Sequence, residues 1–364
     1  MSTPLLSFIQ HELPAASRPA PTRVCCGATP TGCAGNAWLF ATSGPPLPPT
    51  RRIAADTTVF VSSSARPRDD GDANVRMLTD SLRSVRRELR LAGADSVLVF
   101  DGLDGKPSVS QGMTRRYALK IARALQRLPN TVALVCETWL HQANSLRCAM
   151  EHATRRRTPL VFVIQDDTQI GSGGIDSALI HRQLMHDPTV EYVRFSIHPD
   201  CADGRTHRVH QGYTPCTPHP STTLLHRANR WLDRPHFATR RHYEQRLFAT
   251  LPYDAKVTPE QVLDQHSRLA KDWPLWMYGA RGDMARDLHW PTLVDGKLWV
   301  SKEFVAEYAR TGHNVTSTYT HSYLIHAYRG KTQDVGGEQI AKQAFRTHNP
   351  NMWAKEDGLT KEDE

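Results

Sequence analysis

The sequence predicts an α/β fold built on a mostly parallel sheet flanked by helices, with an irregular C-terminal region. Three observations predict it. Between residues 57 and 167, short apolar runs alternate with longer segments whose apolar residues recur every three or four positions, the pattern of βαβ units with right-handed crossovers. The runs are continuous rather than alternating, as in strands buried on both faces. One of them, VFVIQDDTQI (Val161 to Ile170), drives four apolar residues into a glutamine and two aspartates. In open α/β sheets the carboxyl ends of such strands are where ligands bind.

The elements follow in order. TTVFVSSSA, from Thr57, is a buried strand that ends in small polar residues. Val75, Leu78, Leu82, Val85 and Leu89 then mark one face of a helix, which Gly93 closes where a left-handed residue is wanted. SVLVFDG is a second strand ending on Asp101, TRRYALKIARALQRL an amphipathic helix and NTVALVCET a third strand. HQANSLRCAMEHA is a third helix and PLVFVIQDD a fourth strand. Beyond the alternation, EYVRFSIHPD reads as a further strand and residues 198 to 220 as a His- and Pro-rich loop suited to an acceptor-side lid. ATRRHYEQRLFATL reads as a helix beginning near His242. Residues 1 to 55 are expected to stand outside the fold as a disordered segment or targeting peptide. Glu12 is their only acid, and they are rich in Pro, Ser and Ala up to SGPPLPPTRR. The charged end, residues 331 to 364 with KEDGLTKEDE, is expected to be a tail. That leaves residues 56 to 195 as a ligand-binding half and 196 to 330 as an acceptor-binding and catalytic half.

Composition narrows the classes. A chain of 364 residues without internal repeats can bury one large core or two smaller ones, and a main domain with appendages is expected. Its formal charge of +8 would suit a polyanion. The excess is spread over Arg-rich helix faces and the run Arg155 to Arg157, so nucleic acid is not the expected partner. Seven cysteines, at 25, 26, 33, 136, 148, 201 and 216, lack CxxC spacing, which argues against a zinc site and a dense disulfide framework; structural thiols are expected, with a Cys201–Cys216 pair as the alternative. No stretch is long and apolar enough to span a membrane. A soluble, cytoplasmic protein is the expectation, with organelle targeting through the N-terminal segment as the alternative. The chain carries no GxxxxGK[ST] loop, no GxGxxG after the first strand and no GxSxG elbow. The GSGG at 171 to 174 reads as a turn.

The strand ending in Asp101, the helix carrying Asn144 near its start and the strand ending in Gln165, Asp166 and Asp167 resemble the nucleotide-binding half of GT-A glycosyltransferases, particularly the family-2-like group. The resemblance covers roughly residues 57 to 195. It departs at Gln165, which stands where many relatives carry the first acid of a DxD motif. It implies a Rossmann-like nucleotide-sugar domain and a metal-dependent sugar transfer from a nucleoside diphosphate donor to an acceptor hydroxyl of a glycan, protein or small molecule. Asp101, near the base or ribose, and Asn144 are placed on the donor by it; Ser62 and Ser63, at the end of the first strand, are expected donor contacts beside them. Asp166 and Asp167 would hold Mn²⁺ or Mg²⁺, a Lewis acid for the charge gained by the departing diphosphate; helix capping is the other role open to this pair. A catalytic base after the metal motif is expected at Glu244, with Asp283 and Asp287 behind it. For Glu244 a surface ion pair with Arg240 or Arg241 is the plainer role.

The span Trp273 to Gly296 combines three tryptophans, a Gly-Ala-Arg-Gly turn, three acids and His289, a mixture suited to a sugar's apolar faces and hydroxyls. By the same resemblance His289 would complete the metal shell, and the guanidinium of Arg281 would suit neutralising the diphosphate. A packed core histidine and a surface turn arginine are the alternatives. Two other classes are compatible with the composition. A sugar-phosphate nucleotidyltransferase would need a Gly-rich basic loop after the first strand, of which SSSARPRDD is a poor version. A basic nucleic-acid binder would leave the acidic strand end unexplained.

Overall fold

The computed structural model describes residues 4–13, 20–29, 32–42, 48–65, 71–107, 109–166, 168–170, 175–195, 206–209, 212–215, 217–228, 231, 235–263, 275–278, 292–294, 297–299, 313–314 and 324–327. The strands are β1 (Thr22–Thr29), β2 (Gly32–Ala41), β3 (Thr57–Ser63), β4 (Asp95–Phe100), β5 (Val132–Cys136), β6 (Leu160–Gln165), β7 (Thr168–Ile170), β8 (Tyr192–Phe195), β9 (Thr206–Val209), β10 (Gly212–Pro215), β11 (Pro218–His219), β12 (Thr222–Arg227), β13 (His236–Thr239), β14 (Leu275–Tyr278), β15 (Thr292–Val294), β16 (Lys297–Trp299), β17 (His313–Asn314) and β18 (Leu324–Ala327). The helices are α1 (Pro4–Glu12), α2 (Arg52–Ala55), α3 (Gly71–Glu88), α4 (Gln111–Arg127), α5 (His141–His152), α6 (Ser177–His186) and α7 (Arg240–His242), which runs on into a π-helical turn, Tyr243–Phe248.

Eleven strands form one sheet in the order β1-β2-β5-β4-β3-β6-β13-β8-β14-β12-β11. Its centre, β5-β4-β3-β6, is parallel, as the alternation of strand and helix requires. These strands are buried on both faces, and their side chains divide by parity. Val59 and Val61, Leu98 and Phe100, Phe162 and Ile164 pack with α3, α4 and α6 in one cluster. Phe60, Val97, Val99, Val161 and Val163 pack with α5 and the π-helical turn in the other. Each such side chain contributes on the order of 1.5–3 kcal/mol by leaving water.

The flanks depart from the expectation. β13 runs antiparallel between β6 and β8, and β14 joins β8 in parallel, so residues on both sides of position 196 share one sheet. Residues 22 to 41, expected to stand outside the fold, form a hairpin whose second strand pairs antiparallel with β5. α1 buries Leu5, Leu6 and Ile9. The expected loop contains the β9–β10 hairpin and the short β11. Cysteine pairing is a further correction. Cys25 bonds Cys33 across the hairpin, Cys26 bonds Cys148 on α5, and Cys136 is a buried free thiol. Cys201 and Cys216 lie outside the described residues.

Gly93, with φ of 81°, has the left-handed conformation expected after α3; a Cβ there would meet the Pro48 carbonyl oxygen at 2.3 Å. α4 starts on Ser110, whose Oγ accepts from the Met113 amide at 3.2 Å, a cap that satisfies one otherwise open N–H.

Candidate functional site

The carboxyl ends of β3, β4, β5 and β6 open into a cavity of about 260 Å³ lined by Ser62, Ser63, Ser64, Asp101, Lys106, Trp139, His141, Gln142, Ser145, Gln165 and Asp166. The loops after β4 and β5 are zipped together to make its wall. Leu103 and Asp104 donate to the Glu137 carbonyl at 3.2 and 3.1 Å, and Trp139 donates back to that of Asp104 at 2.7 Å. Gly102 permits this approach, since a Cβ there would lie 2.1 Å from the Thr138 carbonyl oxygen. The paired loops present Lys106 from one side and the Trp139 indole from the other. The Trp139 and His141 rings lie 5.4 Å apart, and Lys256 donates to the Trp139 carbonyl.

Asp101 is 7 % exposed. One carboxylate oxygen, Oδ1, accepts from the Gly102 and Leu140 amides at 2.9 and 3.1 Å, and Oδ2 has no hydrogen bond to the described residues. Burial pushes its pKa up to about 6, against the downward pull of those amides, Lys106 and Lys256. The group is therefore a carboxylate at neutral pH with one oxygen available to a ligand. His141 opens α5 at φ of 62°. Its Nδ1 and the Gln142 Nε2 are both buried, with no hydrogen-bond partner among the described residues. Burial lowers the proton affinity of His141, an effect the Val257 carbonyl opposes and Lys106 and Lys256 reinforce.

Asp166 lines the cavity but is committed elsewhere. Its Oδ2 accepts from Lys120 Nζ and from Ser63 Oγ, both at 2.7 Å, and the two charged side chains are 0 and 1 % exposed. Ser81 Oγ donates to its backbone carbonyl at 3.1 Å. One helical turn from Lys120, the Tyr117 hydroxyl reaches the carbonyls of Ser63 and Asp101 at 3.2 and 3.1 Å. One face of α4 thus grips the ends of β3, β4 and β6 together. The sequence signal was present in TRRYALKIARALQRL: Lys120 interrupts the apolar stripe of Tyr117, Ile121 and Ala124, and a lysine is fully buried only with a partner.

A divalent cation does not fit Asp166, whose charge a buried ammonium already balances. Among the described residues no group of three or more His, Cys, Asp or Glu side chains gathers to hold a metal. Asp167 and His289, the other expected ligands, lie outside the described residues, as do Arg281, Asp283 and Asp287.

Ser62, Ser63 and Asp101 are brought together as expected. Asn144 is not. It is buried on the far side of α5, where Nδ2 donates toward the carbonyls of Pro252, Tyr253 and Ala255 at 3.0, 3.0 and 2.9 Å, so it ties the 252–255 loop to the helix. Its neighbours His141, Gln142 and Ser145 face the cavity instead, because successive helix positions turn through about 100°.

Glu244 is also a correction. Arg157 Nη2 donates to both its carboxylate oxygens at 2.8 and 2.9 Å. Arg157 precedes β6, and β13, which leads into α7, is antiparallel to β6 with Thr239 opposite Leu160. The glutamate therefore lies at the amino end of the strand whose other end meets the cavity, roughly 16 Å away at about 3.3 Å per residue. It cannot serve as a base there.

No family model matches the chain, and no curated protein matches it significantly. Among solved structures it is similar to the crystal structure of S. aureus TarS 1-349, at 13 % identity over 85 % of this chain and 75 % of that one, with a TM-score of 0.38. A second structure of S. aureus TarS gives 13 % identity, 70 % and 38 % coverage and 0.36. UDP-glucose pyrophosphorylase complexed with UDP-glucose gives 10 %, 61 % and 89 %, and 0.35. Scores this low carry no argument about family or activity.

Proposed function

We propose that this chain is a glycosyltransferase that binds a nucleoside diphosphate sugar in the cavity and transfers the sugar to an acceptor hydroxyl. The observation that carries the reading is Asp101: a buried carboxylate at the carboxyl end of a central parallel strand, held by two backbone amides through one oxygen and open through the other. Such an oxygen accepts from a base N–H or a ribose hydroxyl and rejects ligands that cannot donate. The Trp139 indole offers a flat face to a base, and the hydroxyls of Ser62 and Ser64 supply further polar contacts. Nucleotide-scale pockets measure about 300–1,000 Å³, so the described walls hold part of such a donor. The resemblance of residues 57 to 195 to GT-A enzymes supports the same reading. No step is assigned to a cation, because Asp166 is already paired. With Glu244 at the opposite edge, Asp283 and Asp287 are the remaining candidates from the sequence for the base that takes the acceptor's proton.

The test is a panel of UDP-, GDP-, ADP- and dTDP-sugars incubated with the protein, in Mn²⁺ and in EDTA, with release of nucleoside diphosphate measured. Release from one donor class, reduced by at least about tenfold in Asp101→Ala, is expected; a buried hydrogen bond to a charged group is worth about 1.5–3 kcal/mol. Absence of both release and binding for every donor sinks the reading.

A further inference from the structure

Residues 252 to 257 belong to the second half of the chain, form no strand or helix, and are tied at several points to the elements that carry the cavity wall. The Asn144 side chain of α5 reaches the carbonyls of Pro252, Tyr253 and Ala255, and the Ala143 amide donates to that of Val257 at 3.2 Å. The Arg147 guanidinium lies 3.8 Å from the centre of the Tyr253 ring, and that ring is so close to Gly27 of β1 that a Cβ there would meet it at 2.3 Å. The segment is thus a strap held against α5 and the β1–β2 hairpin. Lys256 joins it to the cavity wall: its Nζ donates to the Trp139 carbonyl and lies 5.9 Å from the centre of the Trp139 ring. The Trp139 amide already donates to the Asp104 carbonyl at 2.7 Å. Both backbone polar groups of Trp139 are therefore engaged, one by the loop after β4 and the other by Lys256, and the indole that lines the cavity is carried on a backbone with little freedom to shift. Burial dominates the proton affinities of Asp101, Cys136 and His141 behind this wall. On top of it, the exposed Lys256 charge favours the Asp101 carboxylate and the Cys136 thiolate and opposes a proton on His141; Lys106 acts in the same sense on Asp101 and His141.

We infer that Lys256 is a positioning residue for the nucleoside end of the site, acting through Trp139 and Asp101, and that the 252–257 strap is how the second half of the chain holds that end in shape. The inference rests on the proposed nucleotide-sugar reading and adds to it a residue that does not itself line the cavity. Lys256 keeps the indole face and the open Asp101 oxygen in the arrangement that receives a base N–H or a ribose hydroxyl. Those contacts are made in the bound donor and during transfer alike, so weakening them lowers donor affinity rather than turnover. Removing a cation from beside a carboxylate makes its proton harder to lose, so without Lys256 the Asp101 titration moves upward.

The experiment uses the full chain and two readouts. The first is the titration of the Asp101 carboxyl carbon by NMR in protein carrying isotope-labelled aspartate, the signal being identified by its absence in Asp101→Asn. Lys256→Met keeps an unbranched stem and removes the charge; it is expected to move this titration upward by about 0.2–0.7 pH unit, the size of an exposed charge pair. Lys256→Arg is expected to leave it in place. The second readout is release of nucleoside diphosphate from the donor selected by the panel. Lys256→Met is expected to raise KM by about threefold or more at pH 7 with kcat within about twofold, and Lys256→Arg to retain the KM of the wild type. The side chain is exposed, so neither variant disturbs the core. An unmoved titration, an unchanged KM, or a Lys256→Arg variant as impaired as Lys256→Met would overturn the inference while leaving the nucleotide reading intact. Absence of binding and release for every donor with the wild type would overturn both.

Discussion

Asp101 and Asp166 are two carboxylates at the ends of β4 and β6, the two central strands that flank β3, and their surroundings give them opposite tasks. Asp166 meets an ammonium and a hydroxyl and becomes part of the framework. Asp101 meets two amides through one oxygen, and burial holds its pKa at about 6. The sign of the linkage follows. The folded-state value lies above the ordinary 3.8, so the folded protein holds this proton more tightly than the unfolded chain. Stability from this group is present below about pH 4 and is lost as pH rises to about 6. The loss is about 3 kcal/mol at 1.36 kcal/mol per pH unit. Asp101→Asn keeps an oxygen for the two amides and removes the charge, so its denaturation midpoint should fall less than that of the wild type between pH 4 and 7. Urea melts at several pH values check this, and parallel profiles for the two proteins would show that the carboxylate is not desolvated. The sequence placed Asp101 at a strand end, but it could not distinguish the two acids' partners, because Lys120 lies 46 positions from Asp166 in the chain.

The elements read most accurately from sequence are those whose chemistry is local. β3, β4, β5 and β6 are continuous β-branched and aromatic runs, and the stripe from Val75 to Leu89 has one period throughout. The hairpin β1–β2 was missed because TRVCCGAT and GCAGNAWLFA mix small, polar and aromatic residues without a clear alternation and pair with β5 and Cys148, which lie far off in the chain. β13 was missed because four residues, HFAT, precede a helix without a break. α4 carries the clearest consequence. Removing one member of a buried ion pair leaves the other charge uncompensated, at a cost of about 3–5 kcal/mol. Lys120→Met should therefore destabilise by about that amount, and Lys120→Met with Asp166→Asn should recover a large part of it. A double-mutant cycle by denaturant unfolding measures the coupling; additive effects would mean that the two side chains act independently.

At the scale of the whole molecule, a parallel four-strand centre directs its carboxyl ends into one cavity, and an antiparallel hairpin on one side and a mixed set of strands on the other extend the sheet. Two edges therefore compete as places for chemistry. The carboxyl edge holds Asp101, Trp139, His141 and Gln142; the amino edge holds the Arg157–Glu244 pair. Hydrogen–deuterium exchange with and without the nucleotide sugar selected from the panel distinguishes them most directly. The account predicts slower exchange in the peptides spanning residues 61–65, 101–106 and 138–146, with residues 155–159 and 240–248 unchanged. Protection confined to residues 155–159 and 240–248, with the carboxyl edge unaffected, would contradict it.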